Sequence, residues 1–143
     1  MAFVIFDDKE IKNFKLLNEF GYVFDWTKKS SNISITVGLI VNGDISGLVE
    51  FERRADHLYN YMWLIEAADN YKGTTVAGKL MAYVGRDSLQ QGFDGFVMFE
   101  PKSALYEYYI TKYGAKPLTG RNLMFDTEAT MELIRKYLGE SYE

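Results

Sequence analysis

Cysteine is absent from the sequence, and His57 is its only histidine. The absence of cysteine excludes disulfides, thiolate zinc sites and cysteine nucleophiles. A single histidine argues further against a transition-metal site, so we expect no metal in the functional site. Basic residues are also fewer than acidic ones: the sequence has 16 lysines and arginines and 20 aspartates and glutamates, which gives a net charge of −4. Without a basic arm or stripe, we expect no nucleic-acid partner.

Long hydrophobic runs are absent as well. No apolar stretch approaches the roughly 18 residues that a membrane-spanning helix requires, and residues 1–8 reach acidic side chains too early for a signal peptide. We therefore expect a cytoplasmic protein with no membrane partner, which also agrees with the lack of cysteine. The chain is nevertheless rich in apolar residues, since 48% of its 143 residues are hydrophobic and 16% are aromatic. That composition predicts one folded domain over residues 1–143.

Hydrophobic periodicity and turn residues predict the order of helices and strands. Apolar runs and apolar–polar alternation predict strands at 2–6, 33–37, 45–53, 58–67, 95–99 and 123–125. Asn42-Gly43, between two of these strands, favours a type I′ hairpin turn. Helical spacing and capping residues predict helices at about 75–90, 103–113 and after residue 126, and a first helix that carries Ile11, Phe14, Leu17 and Phe20 and ends near Gly21. This order predicts an α+β domain with a mixed central sheet flanked by helices.

The stretch NYKGTTVAGKL, which begins at residue 70, suggests a phosphate site of one of two kinds. Gly73, Gly78 and Lys79 match the G-x-x-x-x-G-K of a nucleotide-binding P-loop, but Leu80 stands where a serine or threonine would hold magnesium. The predicted strands before it also form an antiparallel meander rather than βα units. Independently of any motif, the first N–H groups of a helix have no partner within the helix and attract anions. The stretch therefore predicts a phosphate-binding helix start, and the structural alternative is that Thr74 only caps the helix.

The residues in and around this stretch resemble the GNAT acyltransferases, the Gcn5-related family. The family's acetyl-CoA loop, Q/R-x-x-G-x-G/A, aligns with Lys72-Gly73-Thr74-Thr75-Val76-Ala77, in which Ala77 fits the last position and Thr75 replaces the central glycine. Residues 63–68 resemble the family's fourth strand, residues 92–98 the join to its fifth strand, and residues 104–115 the helix that follows. The resemblance covers residues 33–126, and it implies a GNAT fold and an acetyl-CoA-dependent N-acetyltransferase.

The resemblance also implies where acetyl-CoA lies. In this family the acyl-CoA occupies a gap between the fourth and fifth strands, so backbone groups of Ile65 and Ala67 would bond its pantetheine chain, unless they pair with Val97 and Phe99. The pyrophosphate would meet the helix start, where the expected contacts are Lys72, Gly73 and the N–H groups of Thr74, Thr75, Val76, Ala77, Gly78 and Lys79. The side chains of Val76, Leu80 and Val84 are expected in the core instead.

Acyl transfer from CoA needs a base that removes a proton from the attacking ammonium. Glu66 lies inside an apolar strand, where an unpaired carboxylate is costly, and we predict that it is this base. Glu50 and Glu52 on the neighbouring strand are alternatives, although charges on an exposed face of the meander are the simpler interpretation of these two residues.

The leaving thiolate needs a proton, which by resemblance comes from a tyrosine of the helix after the fifth strand. Counting forward from Ala104 selects Tyr108, and counting back from Gly114 selects Tyr109. The two side chains point about 100° apart on a helix, so only one of them can face the thiol. We predict that Tyr109 is the acid and keep Tyr108 as the alternative.

The acceptor is predicted to be the amine of a small molecule or a peptide, acetylated by direct transfer, and a homodimer is a compatible assembly. Tyr59, Tyr61 and Trp63 alternate along one strand and would form either an aromatic wall for that acceptor or a packed face of the sheet. The alternative function is a non-catalytic acyl-CoA-binding or interaction module of the same fold. A P-loop-like nucleotide binder is the weaker alternative.

Overall fold

The computed structural model describes residues 1–15 and 20–140 of the chain. Within these residues, seven strands form one mixed sheet. The strands are β1 (Ala2–Phe6), β2 (Ile35–Val41), β3 (Asp44–Arg54), β4 (Tyr59–Ala67), β5 (Val97–Phe99), β6 (Lys116–Pro117) and β7 (Leu123–Phe125). Their order is β1-β2-β3-β4-β5-β7-β6. Neighbouring strands are antiparallel except β4 and β5, which are parallel.

The described α-helices are α1 (Asp8–Lys12), α2 (Val76–Gln90), α3 (Tyr106–Tyr113) and α4 (Thr127–Leu133), and α4 continues as a π-helical turn over Ile134–Leu138. Three of them have a clear capping residue at one end. Asp7 forms a capping box with Glu10 at the start of α1, and Asp126 accepts the Ala129 N–H at the start of α4. Gly114 ends α3 with a φ of 74°, a left-handed conformation that glycine adopts without strain.

The predicted α+β architecture is confirmed, with strand ends shifted by a few residues. Asn42 and Gly43 have φ values of 52° and 82°, the positive values that a type I′ turn requires. The two-residue strand β6 was not predicted, because a segment this short has no periodicity to detect. In residues 1–15 and 20–140, no helix is long and apolar enough to cross a membrane.

The first helix is shorter than predicted. It ends at Lys12, where the side-chain amide of Asn13 donates to the carbonyl of Lys9 at 2.8 Å and competes with the helical backbone. Phe14 lies beyond this end and packs edge-on against Phe6, with the ring centroids 4.9 Å apart. Leu17, which the prediction also assigned to this helix, lies outside the described residues, whereas Phe20 is described and is helical.

In the part of the chain that the structure describes, two hydrophobic clusters cover opposite faces of the sheet. On one face α2, α4 and the π-helical turn pack against the strands, and Val76, Leu80 and Val84 are buried as predicted, with 4%, 0% and 0% of their surfaces exposed. Gly47 allows α2 to approach β3, because a Cβ there would lie 2.6 Å from a methyl of Val76. The other face carries a smaller cluster that the N-terminal segment completes: Tyr22, Trp26, Leu48 and Ala68.

Candidate functional site

The strands β4 and β5 are paired over only three residues each. Residues 60–62 of β4 pair with residues 97–99 of β5, and the ladder stops there although β4 continues to residue 67. The alternative in which Ile65 and Ala67 pair with Val97 and Phe99 is therefore wrong. In the described chain, the edge of β4 beyond Met62 has no strand partner on the β5 side, so a gap opens there.

A β-bulge lies where the gap begins. Glu50 of β3 pairs with Leu64 and Phe51 pairs with Met62, which leaves Trp63 as an extra residue in β4. A bulge bends its strand and increases the local twist. The last pair between β4 and β5, Met62 with Phe99, comes directly before this bulge.

The bulge also decides which backbone groups face the gap. Asn60 donates its N–H to the carbonyl of residue 96, next to β5, at 3.0 Å, whereas Ala68 donates to a carbonyl of β3 at 2.9 Å. Backbone groups of successive strand residues point to opposite edges of the strand, so in a regular strand Asn60 and Ala68, eight residues apart, would face the same edge. They face opposite edges because the extra residue Trp63 shifts the alternation by one. Beyond the bulge, Ile65 and Ala67 direct their N–H and C=O groups into the gap.

A cleft of about 460 Å³ occupies this gap. Pockets of this size suit small-molecule ligands. The described residues that line the cleft are 62–66, 99–102, Val23, Phe24, Lys72, Leu105 and Tyr109. The cleft therefore brings the predicted Ile65, Glu66, Lys72 and Tyr109 together, while Tyr108 is not among its described lining residues.

The start of α2 leaves part of its backbone N–H groups free. The hydroxyl of Thr74 donates to the Tyr71 carbonyl at 2.5 Å and accepts the Val76 N–H at 3.3 Å. The N–H groups of Thr74 and Lys79 bond to carbonyls of the loop at 3.3 Å and 3.0 Å. In the described part of the chain, the N–H groups of Thr75, Ala77 and Gly78 have no acceptor. Three of the six N–H groups of residues 74–79 are thus free to bind an anion, whereas the prediction included all six.

Gly73 and Gly78 have different structural roles. Gly73 has a φ of 77°, and a Cβ there would have no atom within 4 Å, so this position is open to a ligand. At Gly78 a Cβ would lie 2.4 Å from the ring of Tyr137, so this glycine lets the π-helical turn after α4 pack against α2. Lys72 forms an exposed ion pair with Asp69 at 2.9 Å.

Glu66 accepts three hydrogen bonds from the N-terminal segment. Its Oε2 accepts the Val23 N–H at 2.6 Å, and its Oε1 accepts the Phe24 N–H at 3.1 Å and the Trp26 indole N–H at 2.8 Å. These bonds hold Val23 and Phe24 at the cleft and engage both carboxylate oxygens. They support an anchoring role for Glu66, whose assignment as the base stays a prediction.

The interpretation of Glu50 and Glu52 as charges on an exposed face is wrong, because only 1% and 7% of their surfaces are exposed. Glu50 accepts the N–H and the hydroxyl of Ser30, both at 2.6 Å, and the hydroxyl of Ser34 at 2.5 Å. Burial alone would raise the pKa of Glu52, but hydrogen bonds from neighbouring side chains outweigh it and hold that pKa below the usual value. Both carboxylates are engaged by structural partners, which the linear sequence could not reveal.

Tyr109 and Tyr108 have opposite environments. Tyr109 lines the cleft and packs edge-on against Phe99, with the ring centroids 5.1 Å apart. Burial raises the pKa of Tyr109, and the neighbouring Tyr108 adds to the rise, so the phenol keeps its proton to higher pH than an ordinary tyrosine does. Tyr108 is 46% exposed, and the ammonium of Lys112 lowers the pKa of Tyr108. The structure thus brings Tyr109, rather than Tyr108, to the cleft.

Glu100 is a cleft residue that the sequence reasoning missed. It directly follows β5, lines the cleft and is exposed. Within residues 1–15 and 20–140 its carboxylate has no hydrogen bond or ion pair. The available signal was its position at the carboxyl end of the buried run 95–99, since ligands often bind beyond the carboxyl ends of parallel strands. The same described residues contain no cluster of three acidic or histidine side chains that could hold a metal ion.

The aromatic residues of β4 lie on the face of the sheet opposite α2. Trp63 lines the cleft and donates its indole N–H to Glu52 at 2.6 Å, and its ring meets Tyr61 edge-on at 4.8 Å. The guanidinium of Arg54 lies 4.1 Å from the centroid of the Tyr61 ring. Trp63 is therefore part of the cleft wall and is held in one orientation by its neighbours. His57 lies in the turn before β4, near the ring of Tyr59.

Solved structures share this fold, whereas no protein-family model and no curated protein matches the sequence. An acetyltransferase of the GNAT family from Staphylococcus aureus is 14% identical, with 88% of this chain and 98% of that chain covered and a TM-score of 0.60. A structure of AtaTR bound with acetyl-CoA is 16% identical, with 93% of this chain and 97% of that chain covered and a TM-score of 0.68. The likeness confirms the GNAT fold. A P-loop is excluded by the antiparallel strands before α2 and by Leu80, which is completely buried and carries no hydroxyl.

The prediction of no nucleic-acid partner is wrong. A KacTA–DNA complex has the same fold, with 11% identity, 94% of this chain and 98% of that chain covered and a TM-score of 0.66. The prediction relied on the net charge of −4 and on the lack of a basic arm or stripe in the sequence. Both describe one linear chain, whereas binding depends on the surface patches that the fold assembles and on every chain of an assembly.

Proposed function

We propose that this chain, which has the GNAT fold, is an acyl-CoA-dependent N-acyltransferase that moves an acetyl group from acetyl-CoA to an amine. One arrangement carries the proposal. The unpaired edge of β4 runs from a cleft that contains Tyr109 towards the loop at Gly73 and the free N–H groups at the start of α2. An extended thioester with a phosphate group at its far end would place the thioester at the cleft and the phosphate at the start of α2.

The residues present suit acetyl-CoA. The backbone groups of Ile65 and Ala67 would bond the pantetheine amides as an added strand would. The N–H groups at the start of α2 would hold the pyrophosphate, helped by the positive end of the helix dipole, and Gly73 leaves space for the phosphate oxygens. Acetyl-CoA supplies the chemistry of a thioester, whose acyl carbon an amine can attack.

The side chains of the cleft divide the proton transfers between them. Glu100 would accept a proton from the ammonium of the acceptor, directly or through a water molecule, so that the neutral nitrogen forms the new C–N bond. Tyr109 would donate its proton to the sulfur as the C–S bond breaks. Glu66 would hold the wall that Val23 and Phe24 form, through its three hydrogen bonds.

A non-catalytic acyl-CoA-binding module is the second candidate. The specific observation in its favour is that Glu66, the carboxylate first predicted to be the base, is engaged by three donors of the same chain. In such a module the cleft would bind an acyl-CoA while no amine is acetylated. Binding and turnover must therefore be measured separately.

Acetyl-CoA and CoA are expected to raise the melting temperature of the protein, whereas ATP with magnesium should not. A ligand that binds only the native state stabilises it by about 2.7 kcal/mol at 100 times its Kd, which shifts melting by several degrees. Melting curves with each ligand, followed by thiol release in the presence of amines, test binding and turnover in turn. A shift with ATP and magnesium and none with any CoA ester would contradict the proposal.

Gly73→Asp is expected to weaken CoA binding more than Gly73→Asn does. Both side chains add similar bulk at a positive φ, so backbone strain is matched and the difference is one negative charge beside the expected pyrophosphate. Repulsion of about 1 kcal/mol corresponds to a roughly fivefold higher Kd for the aspartate variant. Calorimetry gives both Kd values, and thermal unfolding without ligand checks that the two variants are equally stable. Equal Kd values would mean that no phosphate lies near residue 73.

A further inference from the structure

We infer that the acceptor is an amine with a single positive charge on an apolar or aromatic group, bound with its ammonium at Glu100. The inference rests on the proposed function and names the substrate class of the same cleft. It follows from the distribution of charge and of apolar surface around that cleft.

Among its described lining residues, the cleft offers an acceptor one free negative charge. Of the described residues that line it, only Glu66 and Glu100 carry carboxylates. Glu66 already accepts three hydrogen bonds, whereas Glu100 has no hydrogen bond or ion pair within the described residues. Two residues further on, Lys102 also lines the cleft, and its ammonium lies 4.7 Å from the centroid of the Phe24 ring. A first ammonium on the acceptor therefore finds a partner at Glu100, and a second one meets the positive charge of Lys102.

Another part of the cleft wall is formed by apolar side chains that are partly exposed. Val23, Trp63 and Leu105 line the cleft with 70%, 37% and 40% of their surfaces exposed. Trp63 is fixed by its hydrogen bond to Glu52 at 2.6 Å and by its edge-on contact with Tyr61. Exposed apolar side chains gathered at one cleft, with few polar groups among them, favour an apolar ligand group.

The single free carboxylate and the apolar wall separate different classes of amine acceptor. Polyamines and aminoglycosides carry several ammonium groups, and each additional one would lose water against an apolar wall or approach Lys102. An alkylamine or arylalkylamine buries its apolar part against Trp63 and places its one ammonium at Glu100. The cleft thus selects by repulsion of the second charge as well as by attraction of the first.

Hexylamine and 1,5-diaminopentane form a matched pair for testing this selection. They have the same number of heavy atoms in a line, and they differ in a terminal methyl against a terminal ammonium. With acetyl-CoA as donor and thiol release as the measurement, kcat/KM for hexylamine is expected to exceed that for the diamine by about tenfold or more. A diamine that is acetylated as well as or better than hexylamine would overturn the acceptor class and leave the proposed acyltransferase intact.

Two variants of Lys102 test the origin of the preference. Lys102→Glu is expected to raise kcat/KM for the diamine by about tenfold, and Lys102→Gln by less, because only the first variant supplies a partner for the second ammonium. An unchanged preference in both variants would overturn the role of Lys102 in selection. CoA binding is measured on the same proteins by calorimetry. Binding of CoA without acetylation of either amine would overturn the acceptor class and favour the non-catalytic module, whereas absence of CoA binding would overturn the proposed function itself.

Discussion

Replacing Tyr109 with phenylalanine is expected to lower the kcat of acetyl transfer by about 10²–10⁴-fold, the usual contribution of a general acid. The hydroxyl would donate its proton only as the thiolate leaves, so the loss should appear in kcat while the Kd of CoA stays close to that of the native protein. The ring remains in place with its neighbours Phe99 and Tyr113, whose centroids lie 5.1 Å and 5.8 Å away. Turnover at saturating amine and calorimetry with CoA measure the two quantities.

Tyr108→Phe is the matched control for this experiment. Tyr108 is the adjacent residue and is 46% exposed, outside the described lining of the cleft, so its variant should keep near-native turnover. Because burial raises the pKa of Tyr109, kcat of the native protein should persist to pH values at which an ordinary tyrosine, with a pKa of about 10, ionises. A crippled Tyr108→Phe variant would move the acid to Tyr108. Full activity in both variants would mean that the thiolate leaves without help from a tyrosine.

Glu66→Gln is expected to lower the free energy of unfolding by about 1.5–3 kcal/mol, since hydrogen bonds to a charged acceptor contribute this much. The amide would place a donor against one of the three donors from Val23, Phe24 and Trp26 that Glu66 now satisfies. If Glu66 anchors the wall, kcat should stay close to the native value while the KM of the amine rises, because Val23 and Phe24 are less well held. Denaturant unfolding and steady-state kinetics on the same preparation give both results.

Glu100→Gln is the control that separates an anchor from a base. Its carboxylate has no hydrogen bond or ion pair in the described chain, so the variant should unfold like the native protein. If Glu100 accepts the proton of the acceptor, kcat/KM for the amine should fall by about 10²-fold. The reverse pattern, with native stability and lost turnover in Glu66→Gln and normal turnover in Glu100→Gln, would return the base to Glu66.

Several elements of the fold could be predicted because their signals are local. The spacing of Val76, Leu80 and Val84 predicted a helix with a buried face, and all three are in the core. Asn42-Gly43 predicted its turn, because few residues accept two successive positive φ values. The first helix was predicted too long, since the pattern of apolar residues that continues through Phe14 serves contacts with Phe6 instead of a helical face.

Those parts of the candidate site that consist of consecutive residues could be predicted from the sequence. The loop and helix start at residues 72–79 were found by their sequence and their glycines. The surroundings of Glu66 could not be found in this way, because its three donors lie 40–43 residues earlier in the chain. Glu50 likewise takes its partners from Ser30 and Ser34, so two carboxylates with similar sequence contexts were assigned to solvent when they are buried.

The sequence by itself determined the order of the helices and of the described strands other than β6, the buried stripe of α2 and the exclusion of cysteine chemistry. Each of these depends on composition or on a period of two to four residues, which is visible in the linear chain. Only the tertiary structure decided the gap beside β4. The bulge at Trp63 is invisible in the apolar run 62–65, because it exists only in the register between β4 and β3. That register turns the backbone of Ile65 and Ala67 towards the gap, since pairing between distant strands, rather than local preference, sets which edge each residue faces. Tyr109 and Glu100, which come from other elements, line the same cleft only in the folded chain.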